Sequence, residues 1–231
     1  MSDTTESPRP MTSTSTSTAG PAAEKAPVVD AIVLAGGRSS RLDGTAKSGL
    51  VVDGRTLLDL AVDACSGARA VAVVGDAADL PLEARLSDRV LITREEPEFG
   101  GPAAGIAAGA ALLTVLGSEP SALTLVVACD LVHASDAVER VLDAARAAGS
   151  TDGVIAVDST GRRQWLLAAY STEKLAAAVE AHGPDLTGAS VHGMLGDLEL
   201  TEVALTDGVA DDVDTWDDAE RLGVTAPDAR K

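Results

Sequence analysis

The chain has 231 residues, 45% of them hydrophobic, with a mean hydropathy of +0.15 and a formal net charge of −18, so it can bury one substantial core while its acidic balance argues against nucleic acid or an anionic membrane as partner. Its two cysteines, Cys65 and Cys129, show neither the number nor the spacing of a disulfide framework or a zinc site and read as free thiols. No apolar run approaches the length of a membrane span and the first 27 residues have no signal-like apolar segment, so the expected location is the cytoplasm.

Residues 1–27 are rich in Ser, Thr and Pro, include the tract TSTSTST, and have no periodicity that could bury a face. They read as a disordered tail. From Val28 onward, β-rich runs at 29–35, 69–75, 89–93, 123–129 and 153–158 alternate with helical patterns at 56–66, 102–116, 135–148, 171–182 and 187–195. A late strand is expected from Leu198 to Leu205, then an acidic stretch from Asp211 to Asp218 with a short helix, and a short tail over 225–231. This alternation predicts one three-layer α/β domain over 28–224, built around a mostly parallel sheet. With Phe99, Trp165, Tyr170 and Trp216 as the only aromatics, the core must be made of Ala, Val and Leu, as in buried parallel strands and their covering helices. Ligands of such sheets lie beyond the carboxyl ends of the strands, where both Gly36-Gly37 and Asp130 fall.

The segment Ala31 to Leu50, AIVLAGGRSSRLDGTAKSGL, concentrates groups suited to a nucleotide. Its apolar start reads as a strand covered on both faces, and Gly36-Gly37 lets backbone amides approach an anion where a Cβ would obstruct. Lys47 supplies a compact cation, with Arg41 nearby. A Walker A loop ending at Lys47-Ser48 would need glycine at 41 and 46, where the chain has Arg41 and Ala46, and no G-x-G-x-x-G follows the strand. Asp130, in VVACDLVH, closes a strand at the carboxyl edge of the sheet. A carboxylate there suits Mg²⁺, a hard ion that takes one or two carboxylates together with phosphate oxygens and water. His133, His182 and His192 show no metal spacing and read as surface or satisfied helix residues; Cys129 reads as a packed thiol.

The pattern LAGG-x-x-x-R-[LM]-x-G-x-x-K, from Leu34 to Lys47, resembles the nucleotide signature of the NTP-transferase family, and within it the molybdenum cofactor guanylyltransferases. The resemblance implies a Rossmann-like nucleotidyltransferase fold in which the backbone of Leu34, Ala35, Gly36 and Gly37 cradles the nucleotide and Lys47, with Arg41, offsets phosphate charge. Cys129-Asp130 matches the family's C-D-x-P segment, whose aspartate binds the metal. Asp212-Val213-Asp214 matches a triplet that returns to the metal, which makes Asp214 or Asp212 a further ligand. The same resemblance puts a guanine-reading carboxylate at Glu95 or Glu96, a turn and helix start at Phe99 to Gly109, and a second-substrate segment at Arg162-Arg163-Gln164.

The implied reaction is transfer of GMP from Mg-GTP to the phosphate of molybdenum-molybdopterin, with release of pyrophosphate. GTP, Mg²⁺ and molybdopterin are the implied ligands, and molybdoenzymes or cofactor-insertion proteins the implied partners. The attacking group is already an ionised phosphate oxygen, so positioning and charge neutralisation suffice without a protein nucleophile. Guanine over cytosine rests on LAGG, since the cytidylyl relatives read LAAG. The chain departs from the family pattern at Asp43 (commonly Gly), Ala46 (often acidic), Val132 and Trp216 (both usually Pro), and Asp43 is expected to add negative charge beside the triphosphate. Two other readings stay open: a cytidylyltransferase or other nucleotidyltransferase acting on a different phosphate, and a non-catalytic nucleotide-binding or cofactor-delivery protein.

Overall fold

Strand β1 (Val29–Leu34) is buried along nearly its whole length because successive side chains enter two different cores. On one face Ala31 and Val33 join Val71 and Val73 of β4 (Val71–Val74) and Leu125 and Val127 of β6 (Leu123–Ala128), covered by α1 (Leu57–Ala64) and α3 (Ala134–Ala147). On the other, Ile32, Leu34, Ala72, Val74 and Val126 meet α2 (Pro102–Leu116), α4 (Thr172–His182) and α5 (Val191–Leu195). The computed structural model that shows this describes residues 27–37, 40–80, 89–116, 120–149, 151–206 and 208–227. The tail expected over 1–27 lies outside the described residues except for its last position.

The sheet has seven strands in the order β5-β4-β1-β6-β8-β7-β9, with β5 at Val90–Thr93, β7 at Gly153–Val157, β8 at Arg163–Ser171 and β9 at Leu200–Ala204. Strand β8 runs antiparallel to both of its neighbours, and the other pairs are parallel. The expected mostly parallel three-layer architecture is therefore present. The small residues of α2 serve packing: a Cβ on Gly109 would come within 2.7 Å of Ile32, so glycine lets the helix lie close on β1. Helix α5 starts at Val191, later than the pattern from 187, because Ser190 caps it by accepting from the Gly193 amide and Gly188 sits at a φ of 71°.

A third, smaller core fastens the end of the chain beside the first loop. Leu42, Leu50 and Leu57 pack there with Val213, Ala219 and Val224, and α6 (Trp216–Arg221) begins at Thr215, whose capping box with Asp218 is complete on both sides. Thr225 exchanges two backbone hydrogen bonds with Val51 of β2 (Val51–Val52), at 2.8 and 2.9 Å, so this first residue of the expected short tail is paired. Strand β2 turns directly into β3 (Arg55–Thr56). Among the described residues no helix is long and apolar enough to cross a membrane.

Candidate active site

Strands β1, β4 and β6 end together. The Cys129 amide donates to Leu34 O at 3.0 Å and the Ala35 amide to Val74 O at 2.8 Å, so the loops after these strands leave one edge of the sheet side by side. Gly75 makes this possible, because a Cβ there would come within 3.3 Å of the Ala35–Gly36 backbone. A cleft of about 470 Å³ opens over that edge, a size ordinary for a small-molecule site. Leu34, Ala35, Gly36, Gly37, Arg41, Lys47, Glu95, Asp130 and Asp214 all line it. Residues spread over 180 positions of sequence, on the order of the whole domain, thus converge where an open α/β sheet places its ligand.

Lys47 is the centre of the charge arrangement. Its ammonium donates to Asp130 Oδ2 at 2.8 Å and Asp214 Oδ1 at 2.5 Å, and it is only 22% exposed. Burial alone would lower its pKa; the charge and hydrogen bond of Asp130, then the bond and charge of Asp214, outweigh burial and hold it above the ordinary lysine value. The ammonium is therefore charged at neutral pH. Arg41 lies on the rim, 73% exposed and 3.6 Å from Asp214.

Asp130, Asp212 and Asp214 bring carboxylate oxygens within 4.8 Å of one another. Asp212 and Asp214 are two apart in extended chain, which turns both side chains to the same side, and the Asp212 bridge to Leu131 together with the bond from the Val213 amide to Asp130 O fixes them beside the end of β6. Partial burial, then the charges of Asp130 and Asp214, push the Asp212 carboxyl above its usual range. Three carboxylates against one lysine and one peripheral arginine leave an excess of negative charge. An all-oxygen set of this kind fits a hard divalent cation such as Mg²⁺ or Mn²⁺.

Several expectations change in detail. The Ala35 amide, expected to face the nucleotide, is used by the sheet through Val74 O, which leaves the exposed Gly36 and Gly37 as the backbone open to the cleft. Of Glu95 and Glu96, Glu95 lines the cleft, whereas Glu96 faces a groove along the outside of α2. Asp43 is not among the cleft residues; its carboxylate accepts from Trp216 Nε1 at 3.2 Å. Arg163 pairs with Glu202, and Gln164 donates to Asp158, so these two side chains are engaged within the fold. A register shift where β8 meets β7 adds residues to β8, and Leu166 from that stretch reaches the cleft instead. Asp212 was the part of the carboxylate group that sequence spacing left open. The histidines are exposed and Cys129 is buried, as expected.

Residues 31–195 match the family of MobA-like NTP transferase domains. Among solved structures, Rv0371c from Mycobacterium tuberculosis H37Rv is 24% identical with a TM-score of 0.63, over 85% of this chain and 98% of that one. Its complex with manganese aligns at 23% identity and a TM-score of 0.59, over 85% and 98%. Molybdopterin-guanine dinucleotide biosynthesis protein A from Archaeoglobus fulgidus is 21% identical with a TM-score of 0.58, over 84% and 96%. These likenesses show a common fold. No curated protein matches the chain.

Proposed function

The chain belongs to the family of MobA-like NTP transferase domains and is a nucleotidyltransferase, and we propose that it transfers GMP from Mg-GTP to the phosphate of molybdenum-molybdopterin, releasing pyrophosphate. The observation that carries this reading is that Glu95 and the Lys47–Asp130–Asp214 group line one cleft. A carboxylate at Glu95 can accept from the adjacent N1–H and N2–H donors of guanine. Cytosine offers no such donor pair on its pairing edge.

A phosphate oxygen of the acceptor attacks the α-phosphorus of the nucleotide, the bond to the bridging oxygen breaks, and pyrophosphate leaves with the electron pair. Lys47, held charged, offsets negative charge on the phosphates as this bond breaks. Gly36 and Gly37 let the triphosphate approach the backbone, and Arg41 on the rim offers a forked donor to the outer phosphates. Asp130, Asp212 and Asp214 would hold the divalent cation, whose chemistry is to neutralise and orient phosphate oxygens. The fixed charges need little rearrangement during reaction, which is how such sites lower a barrier.

The test is an assay of the purified protein with each of the four nucleoside triphosphates, Mg²⁺ and molybdenum-molybdopterin, reading pyrophosphate and the mass of the product. The expected result is a guanine dinucleotide product with at least tenfold preference for GTP over CTP. Preference for CTP, or turnover only with a different phosphate acceptor, replaces this substrate assignment, and nucleotide binding without pyrophosphate release would point to a non-catalytic role.

A further inference from the structure

The loop that carries Arg41 and Lys47 and the segment that carries Asp212 and Asp214 are far apart in sequence; Lys47 and Arg41 reach Asp214 directly, and a further side-chain hydrogen bond, outside that charged group, joins the two segments as well. Leu42 to Thr45 form a tight turn closed by the Thr45 amide donating to Leu42 O at 2.8 Å, with Asp43 and Gly44 at φ of 52° and 80°. Asp-Gly is a favoured pair where both central residues take positive φ. This turn presents the Asp43 carboxylate to the indole of Trp216, whose Nε1–H donates to Oδ2 at 3.2 Å. The indole itself packs on the small core containing Leu42 and Val213. Asp43 stands two residues from Arg41 and four from Lys47; Trp216 stands two residues from Asp214 and four from Asp212. Both residues are departures from the pattern of the resembled family, and they meet each other.

We propose that the Asp43–Trp216 contact is a clasp: it orients the Arg41–Lys47 loop over the carboxylates and holds the negative charge of Asp43 away from the triphosphate. Both are positioning residues, acting through Arg41 and Lys47, and their role rests on the nucleotidyltransferase reading. Arg41 needs such help because it is largely exposed and its ion pair with Asp214 is long, at 3.6 Å; a long side chain so loosely held depends on its backbone for direction. The indole N–H matters beyond its packing, because without it the Asp43 carboxylate is free to turn toward the cleft.

The test compares Asp43→Ala, Asp43→Asn and Trp216→Phe in steady-state kinetics and thermal melting. Asp43→Ala and Trp216→Phe are expected to raise the KM for nucleotide about three- to tenfold, the size of one lost hydrogen bond, with kcat within about twofold and little change in melting temperature. Asp43→Asn keeps an acceptor oxygen for the indole and should stay near wild type. Equal behaviour of Asp43→Ala and Asp43→Asn overturns the clasp, since a pure charge effect would move both alike; so does a Trp216→Phe variant that melts earlier with unchanged KM. Trp165 and Trp216 are the only tryptophans, so in a Trp165→Phe background the emission of Trp216 reads the contact itself and should shift on Asp43→Ala. Failure of the clasp is seen on an active wild type. A wild type that binds no nucleotide instead removes the nucleotidyltransferase reading, and the clasp's role with it.

Discussion

The two ends of β1 carry two charge groups of opposite design. At its start, Asp30 is buried and bound twice by Arg69, with Nε on Oδ1 at 3.0 Å and Nη2 on Oδ2 at 2.6 Å. One carboxylate meets one guanidinium in a closed fork, beside the mutually bonded hydroxyls of Ser121, Thr124 and Thr172. Beyond its end, Asp130, Asp212 and Asp214 face Lys47, with Arg41 on the rim, and the group opens on the cleft. The balanced pair holds a sheet edge together. The unbalanced group keeps uncompensated negative charge beside open space, a cost the fold bears where, on the proposed function, a divalent cation would offset the carboxylates.

If this contrast is right, the two ends respond to substitution in different currencies. Lys47→Ala should lower kcat/KM by roughly 100- to 1,000-fold, on the order of 3 to 4 kcal/mol in the transition state, in a protein whose circular dichroism is unchanged; wild-type turnover would remove Lys47 from the chemistry. Arg69→Ala should do the reverse. It strands the Asp30 carboxylate, whose side chain is 3% exposed, at a cost of about 3 kcal/mol and roughly 6 to 12 °C in melting temperature. Turnover per folded molecule should hold, and a Arg69→Ala enzyme that melts normally but turns over slowly would merge the two ends into one functional unit.

Two smaller effects refine the picture. Cys65 and Cys129 are both buried in the core that α1 and α3 cover. Burial, against a smaller opposing effect from Arg89, pushes the Cys65 thiol up to about 12, and burial followed by the Asp130 charge raises Cys129 too. A disulfide reagent at pH 8 should therefore label neither until the protein unfolds. Fast labelling of Cys129 alone would mean that the cleft edge opens more than its packing indicates. Smallest is Ser48→Ala: the Ser48 Oγ is buried without a hydrogen-bond partner among the described residues, so its removal should leave kinetics intact and stabilise by up to about 1 kcal/mol, read by thermal melting.

What the sequence made legible was local. The run Ala31 to Leu34 announced a strand covered on both faces, the glycines and Lys47 pointed to the edge of the sheet where the cleft opens, and Asp130 fell just past a strand end. Strand β8 was harder to read, because RQWLLAAYS has no clean alternation and owes its place to antiparallel pairing with β6 and β7 on both sides. The use of the Ala35 amide by Val74, and the meeting of Asp43 with Trp216, depend on partners 39 and 173 residues away. No local pattern encodes such partners. Joint membership of Asp212 and Asp214 in one group required the bridge at Leu131 to bring their segment to β6.

A divalent cation at the end of β6 is the centre of the proposed mechanism, and Asp130→Asn separates that role of Asp130 from a structural one. The substitution keeps the shape and one acceptor oxygen while removing the charge that draws the cation to a bound triphosphate. Titrating Mg²⁺ against pyrophosphate release in wild type and variant should show turnover falling by about 100-fold or more, a metal requirement displaced to higher concentration with only partial recovery, and an unchanged fold by circular dichroism. The same rate and the same metal dependence in both proteins would mean that Asp130 merely closes its strand and that the cation site proposed here is wrong.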